Sequence, residues 1–262
     1  MKNILKTICD KSRSELERAK AEFPFGRLCE IALSRSGRAS FRAALTPKCG
    51  TPAIIAEMKK ASPSRGLIRE NFNPRELCVS LEKSGASALS VLTEKNYFLG
   101  NLEYLRDASE LVNIPLLRKD FIFDKYQIAE ARACGASAVL LIAKMLSSEE
   151  YRELSAFAKY MGLDVLSEAH DESELDMLIE NGADIIGVNC RNLESFRLDF
   201  SAAERLLKKI PRGIVKVAES GVDGRDTLLR AYEAGADAAL IGTLLMSDES
   251  PSAALEKLLA RL

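Results

Sequence analysis

Tryptophan is absent from this 262-residue chain, and histidine occurs once, as His170. A serine- or cysteine-based nucleophilic mechanism would rest wholly on that one imidazole, so acid–base work is expected from lysine and carboxylate side chains instead. Cysteine is dispersed: Cys9, Cys29, Cys49, Cys78, Cys134 and Cys190 form no C-x-x-C pair and no cluster with histidine. This spacing argues against a zinc site, with no metal expected, and against a disulfide framework; it fits reduced thiols in a cytoplasmic protein. No run of 18 apolar residues is present to span a bilayer. The opening M-K-N-I-L-K-T-I-C-D-K starts basic but lacks the apolar core and small-residue cleavage site of a signal peptide. An excess of either charge sign is also missing. Lys+Arg 37 against Asp+Glu 38 gives a net charge of -1, so no global basic field points to nucleic acid or an acidic membrane.

What the chain does contain is apolar residues, 47% of the total, and a repeat. Four segments align: S-G-A-S-A-L-S-V-L from Ser84, C-G-A-S-A-V-L-L-I from Cys134, N-G-A-D-I-I-G-V-N from Asn181 and A-G-A-D-A-A-L-I-G from Ala234. Their glycines, Gly85, Gly135, Gly182 and Gly235, lie 50, 47 and 53 residues apart, each reading as a helix stop followed by a strand. Between them lie four more apolar runs, Ala53 to Ala56, Ile114 to Leu117, Asp164 to Leu166 and Ile214 to Ala218. Helix starts fall where such a pattern needs them: Asn73 before Pro74, Ser147 with Glu150, Ser201 with Glu204 and, more loosely, Asp124 with Gln127. Eight alternating βα units predict an α/β fold, a (β/α)8 TIM barrel over residues 51–262, with an open doubly wound sheet as the alternative. No G-x-G-x-x-G follows the first strand, which weakens dinucleotide binding. Residues 1–50 differ in character: Ile4, Leu5, Ile8, Leu16 and Ala19 make one amphipathic helical pattern, and Arg27 to Phe41 a second, broken by Gly37.

In a barrel of this kind the site is built at the carboxyl ends of the strands, and here those ends are charged. Strand one runs A-I-I-A-E-M-K-K-A-S-P-S and carries Glu57, Lys59 and Ser62; at period 2 Glu57 and Lys59 share one side. Strand three ends in Arg118, Lys119 and Asp120, strand four in Lys144, strand five in Glu168, and strand six in Asn189 and Arg191. Strand seven ends in Glu219, Ser220 and Gly221, and strand eight in Gly242 and Thr243. Singly, such residues read as solvated loop charges. Converging from strands one, three and five, Glu57, Lys59, Lys119 and Glu168 read as a site, because burying four charges for stability alone is costly. Lys144 and His170 stay with the loop reading. The small residues of A-E-S-G-V and L-I-G-T-L-L-M suit close approach of a phosphate, and Arg191 suits a carboxylate. A phosphorylated sugar derivative bearing a carboxylate fits both.

The stretches I-A-E-M-K-K-A-S-P-S-R-G, A-L-S-V-L-T-E-K-N-Y-F-L-G, L-L-R-K-D-F-I-F-D-K-Y-Q-I, I-I-G-V-N-C-R-N-L, V-A-E-S-G-V and L-I-G-T-L-L-M, in this order, resemble the indole-3-glycerol-phosphate synthase family. The resemblance implies a tryptophan-pathway lyase without metal or organic cofactor. Its substrate, 1-(2-carboxyphenylamino)-1-deoxyribulose 5-phosphate, would cyclise with loss of carbon dioxide and water. By matching motif, Lys119 is the expected general acid and Glu168 the carboxylate assisting proton removal and dehydration, with Glu57 and Lys59 ordering the centre. Asn189 and Arg191 would orient the substrate, Phe121 would form an apolar wall, and Ser220, Gly221, Gly242 and Thr243 the phosphate nest. Cationic neighbours are expected to lower the Lys119 pKa toward a useful value, and the acid and base to stand on opposite sides of the substrate. The resemblance also implies that residues 1–50 cover the mouth. A small phosphorylated substrate, no nucleic acid, no membrane and a monomer or weak homo-oligomer complete the expectation. Rival readings are another phosphosugar barrel, such as phosphoribosylanthranilate isomerase, and a non-catalytic barrel that binds a phosphometabolite.

Overall fold

The computed structural model describes residues 4–46, 52–191 and 198–260. Cys49, Gly50 and Thr51, and with them the expected division between residues 50 and 51, lie outside the described residues, as do Asn192 and Leu193 of the resembling stretch. Eight parallel strands close into a barrel: β1 Ala53–Met58, β2 Ala88–Leu92, β3 Leu116–Lys119, β4 Ala138–Ile142, β5 Asp164–Ala169, β6 Ile185–Asn189, β7 Val215–Glu219 and β8 Ala238–Ile241. The eighth pairs back onto the first through Ala53 opposite Ala238 to Ala56 opposite Ile241, so the open sheet is excluded. Helices alternate with the strands, and no described helix is long and apolar enough to cross a membrane.

The four repeat glycines end their helices with φ of 97° at Gly85, 88° at Gly135, 71° at Gly182 and 97° at Gly235. This left-handed turn is nearly free for glycine and costly for other residues, which is why the repeat is visible in the sequence. Start signals are mostly as expected. Asn73 accepts from the Glu76 N–H with Pro74 at the first helical position, and Ser147 and Glu150 cap each other reciprocally. Two differ. Asp199, not Ser201, caps Phe200–Lys209 by accepting from the Ala202 N–H, because the helix starts at Phe200 and leaves Ser201 inside its first turn. Asp124 accepts from the Tyr126 N–H, while Gln127 caps elsewhere, its Oε1 accepting from the Phe123 N–H. The loop after β1 also holds a two-residue antiparallel ribbon, Ala61–Ser62 with Gly66–Leu67.

The N-terminal segment reaches both ends of the barrel. Helix α1 (Ile4–Glu22) buries Ile8 and Leu16, and Leu5 and Ile8 line the cavity at the carboxyl ends of the strands. Its Glu15 accepts from Asn96 Nδ2, and Lys20 lies 2.7 Å from Asp124, so it is tied to the loops after β2 and β3. Helix α2 (Phe25–Ser34) follows the outside of the barrel. Helix α3 (Phe41–Ala44) restarts after an extended stretch, and Ser40 Oγ and the Arg42 N–H both bond the Asp164 carboxylate at the start of β5. Phe41 and Leu45 are fully buried with Ile55, Leu117, Leu166 and Val217 inside the barrel, closing the end opposite the cavity. A second apolar layer fills the space between strands and helices. Close packing of both layers keeps the strand ends in one arrangement.

Candidate active site

Strand parity decides which charges meet. Glu57 in β1, Lys119 in β3, Glu168 in β5 and Glu219 in β7 all point into a cavity of about 530 Å³ at the carboxyl ends of the strands. Arg118, one residue before Lys119, points the other way. It lies 3.0 Å from Asp120 and 2.8 Å from Glu130 and donates to the Gln127 carbonyl, a structural role behind the barrel wall. Two glycines make the inward carboxylates possible. A Cβ on Gly187 in β6 would lie 2.0 Å from Glu219 Oε1, and one on Gly242 after β8 would lie 2.0 Å from Glu57 Oε2. Gly242 therefore clears space for a carboxylate as well as lining the cavity.

The charges form one connected set. Lys59 Nζ lies 2.6 Å from Glu57 Oε2, and Lys119 Nζ lies 3.5 Å from Glu168 Oε2 and 3.6 Å from Glu219 Oε2. Asn189 Nδ2 donates to Glu168 Oε1 over 3.2 Å, and Asn189 Oδ1 accepts from the Arg191 N–H. Burial opposes the Glu57 charge, but Lys59 and then Lys119 outweigh it and bring that carboxyl below its ordinary pKa. Burial likewise opposes the Lys119 charge, yet Glu168, Glu219 and Glu57 raise its pKa above that of a free lysine. The expected lowering of Lys119 is thus reversed, because its nearest charged neighbours are carboxylates. The acid and base expected on opposite sides are here in contact as an ion pair.

Glu168 and Glu219 differ in charge state although both are buried. For Glu168, burial is overcome by Lys119, His170 and Asn189, and the carboxyl stays ionised. Glu219 is pushed up to about 8 by burial and by the Glu168 charge, with Lys119 only partly compensating. Neither Glu219 oxygen has a partner in hydrogen-bond geometry among the described residues, which agrees with a neutral carboxyl awaiting one. Near neutral pH the set thus offers an ionised carboxylate, a protonated carboxylic acid and an ammonium within one cavity.

The rest of the cavity divides by chemistry. Ser62, Arg191, Ser220, Gly221, Gly242 and Thr243 line it on the polar side. Ser220 and Gly221 have φ of 62° and 72°, and a left-handed serine is strain of the kind that collects at ligand sites. On the other side Phe121 lies 6.1 Å, ring centre to ring centre, from Phe98. Phe98 is a lining residue that sequence reading missed. Its position is set by Glu94, buried, whose carboxylate accepts from the N–H groups of Asn96, Tyr97 and Phe98. The signal was available in T-E-K-N-Y-F-L-G: a carboxylate before a polar loop and an aromatic is a loop-closing pattern. Every residue expected to act or bind lines this one cavity, whereas Lys144, exposed in the turn Ala143–Met145, does not. His170, in the loop after β5 as expected, stands behind Glu168, Nε2 3.2 Å from Glu168 Oε1.

A family model described as "Indole-3-glycerol phosphate synthase" matches residues 5–258. A protein of that name from Campylobacter jejuni subsp. doylei is 45% identical over 265 residues, covering 98% of this chain and 100% of its own length. One from Koribacter versatilis is 45% identical over 260 residues, covering 99% and 100%. Among solved structures, a thiamine phosphate pyrophosphorylase from Pyrococcus furiosus superposes with a TM-score of 0.62 at 16% identity, covering 84% of this chain and 96% of its own. A mutant tryptophan synthase alpha-subunit from the same organism gives 0.61 at 13% identity, covering 80% and 98%. At those identities the likeness extends to the fold alone.

Proposed function

The chain belongs to the indole-3-glycerol phosphate synthase family and carries out its decarboxylating ring closure in tryptophan biosynthesis, in which we propose that Lys119 is the general acid and Glu168 the general base. The observation that carries this division is the buried contact of Lys119 with an ionised Glu168 and a protonated Glu219. An aryl carbon attacking the sugar ketone turns the carbonyl oxygen into an alkoxide. Lys119, held as an ammonium, donates to that oxygen as charge develops, and its carboxylate neighbours keep it loaded with the proton. Loss of carbon dioxide follows from the cation made by ring closure. Dehydration then requires a proton for the departing hydroxyl and a base for the remaining ring proton; Glu168 takes the second role.

Glu57 holds Lys59 in place, and Lys59 with Arg191 faces the substrate carboxylate. Phe121 and Phe98, packed against each other, form the apolar wall that faces the aryl ring. Ser62, Ser220, Gly221, Gly242 and Thr243 receive the phosphate, and Asn189 and Glu219 bind sugar hydroxyls, Glu219 as a donor. Residues 1–50 form an extension whose first helix covers the mouth; Leu5→Ser should raise KM at unchanged kcat, and unchanged kinetics would refute that cover. The substrate is a small phosphorylated molecule, and the protein works in the cytoplasm as a monomer or weak homo-oligomer, without nucleic acid or membrane. A net charge of -1 and dispersed thiols support this setting.

The test is turnover of the carboxyphenylamino substrate, followed by indole fluorescence. Lys119→Met should lower kcat by about 10²- to 10⁴-fold, the range for a positioned acid, while substrate still binds. Retained turnover in that variant would show that another group, Glu219 foremost, is the acid.

A further inference from the structure

We propose that His170 and Glu174 act as a positioning pair that decides which of two neighbouring carboxyls, Glu168 or Glu219, is the base, by holding a permanent cation behind Glu168. The only imidazole of the chain is nine-tenths buried, with a side-chain exposure of 9%, between two carboxylates. Its Nδ1 lies 3.1 Å from Glu174 Oε2, which also accepts the His170 backbone N–H over 2.8 Å. Its Nε2 lies 3.2 Å from Glu168 Oε1, within ion-pair distance but off the hydrogen-bond direction. A neutral imidazole would leave a ring lone pair beside one of these oxygens, so two flanking carboxylates favour the doubly protonated ring. Glu174 sits in the first turn of the helix Glu172–Glu180, where the helix end favours a carboxylate, and Asp171 caps that helix.

The groups facing this imidazole come from several elements. Glu168 belongs to β5 and Glu174 to the following helix; Asn189 from β6, Lys119 from β3 and Glu219 from β7 reach it through Glu168. Lys119 stands almost equally far from Glu168 and Glu219, at 3.5 and 3.6 Å, so it cannot by itself favour one over the other. Of these two carboxyls His170 and Asn189 contact Glu168 and not Glu219, and they break the tie. Burial opposes the His170 charge, but Glu168 and Glu174 prevail and raise its pKa to about 10, in keeping with the geometry. The inference rests on the assignment of Glu168 as base.

Because the chain has one histidine, imidazole ¹⁵N NMR of protein without a histidine tag reads this residue alone. The ring should remain doubly protonated through pH 8, and titration near 6.5 would overturn the proposal. In kinetics, His170→Asn should move the acid limb of the kcat profile up by about one pH unit, lowering kcat on that limb by roughly tenfold, with little change in KM. Glu174→Gln should bring the histidine titration, and with it the alkaline limb, to lower pH. A merely structural role would lower the melting temperature and leave both limbs in place, which would overturn the proposal. Should His170→Asn not fold, Glu174→Gln decides alone: a shifted alkaline limb supports the pair and an unmoved one refutes it. Glu168→Gln separates the levels. If it keeps turnover, the base assignment fails; if it is inactive while the other two variants match wild type, only the role of His170 and Glu174 fails.

Discussion

Replacing Glu219 by glutamine should stabilise the fold, increasingly as pH rises above 4.5. Glu219 is 2% exposed, has no hydrogen-bond partner for either oxygen among the described residues, and faces the charge of Glu168. A carboxyl standing near 8 instead of the 4.5 of a free glutamate resists ionisation by a few kcal/mol, at about 1.4 kcal/mol per unit. The sign follows from proton binding. A raised pKa means that the folded state keeps a proton the unfolded chain has lost, so the contribution of Glu219 is fully present below 4.5 and lost as pH rises through 8. Glutamine has no charge to impose and keeps nearly the same shape. Its advantage should therefore be slight at pH 5, grow between the two values and level off by pH 9. Urea denaturation of both proteins at pH 5, 7 and 9 measures it. In melting temperature the gain at pH 9 should be roughly 5 to 10 °C, at about 2–4 °C per kcal/mol for a chain of this size. His170 titrates in both proteins and cancels in the difference. An advantage equal at pH 5 and pH 9 would refute the claim that Glu219 resists ionisation in the fold.

Two further substitutions probe opposite walls of the cavity. Phe98→Ala removes the ring facing Phe121 and should raise KM by roughly 10- to 100-fold, from about 1–3 kcal/mol of lost aromatic contact, with kcat little changed. A drop confined to kcat in steady-state kinetics would mean that the ring positions the chemistry instead of holding the substrate. Gly242→Ala places a methyl 2.0 Å from Glu57 Oε2, so the carboxylate must leave its 2.6 Å contact with Lys59. Stability should fall by about 1–3 kcal/mol, the usual cost of overpacking, and turnover should fall with it. Wild-type kinetics in that variant would show that the Glu57 and Lys59 contact is dispensable.

Much of the barrel is legible along the chain because its signals are local. Gly85, Gly135, Gly182 and Gly235 each end a helix by adopting a conformation that few other residues tolerate, so their spacing writes the βα period directly. Glu57 and Lys59 are readable as partners for a similar reason, since period 2 brings them together within one strand. Cap assignment by motif missed Asp199 because Ser201 and Glu204 imitate the same pattern two residues later. Phe41 and Leu45 gave no hint that they close the lower end of the barrel, since a four-residue helix has too short a period to reveal its buried face.

Local sequence thus determined the eight strands, their order, and which ends carry charge. Tertiary structure decided what those charges are worth. Nothing in the spacing of Lys119, Glu168 and Glu219 says that one ammonium would stand between two carboxylates from strands on different sides of the barrel, raising a pKa that sequence reasoning expected to fall. Nor does it say that His170 would stand behind one of those carboxylates and leave the other unsupported. A charge state depends on distances and burial summed over every neighbour in space, and closure of the barrel brings together neighbours that lie far apart in the chain.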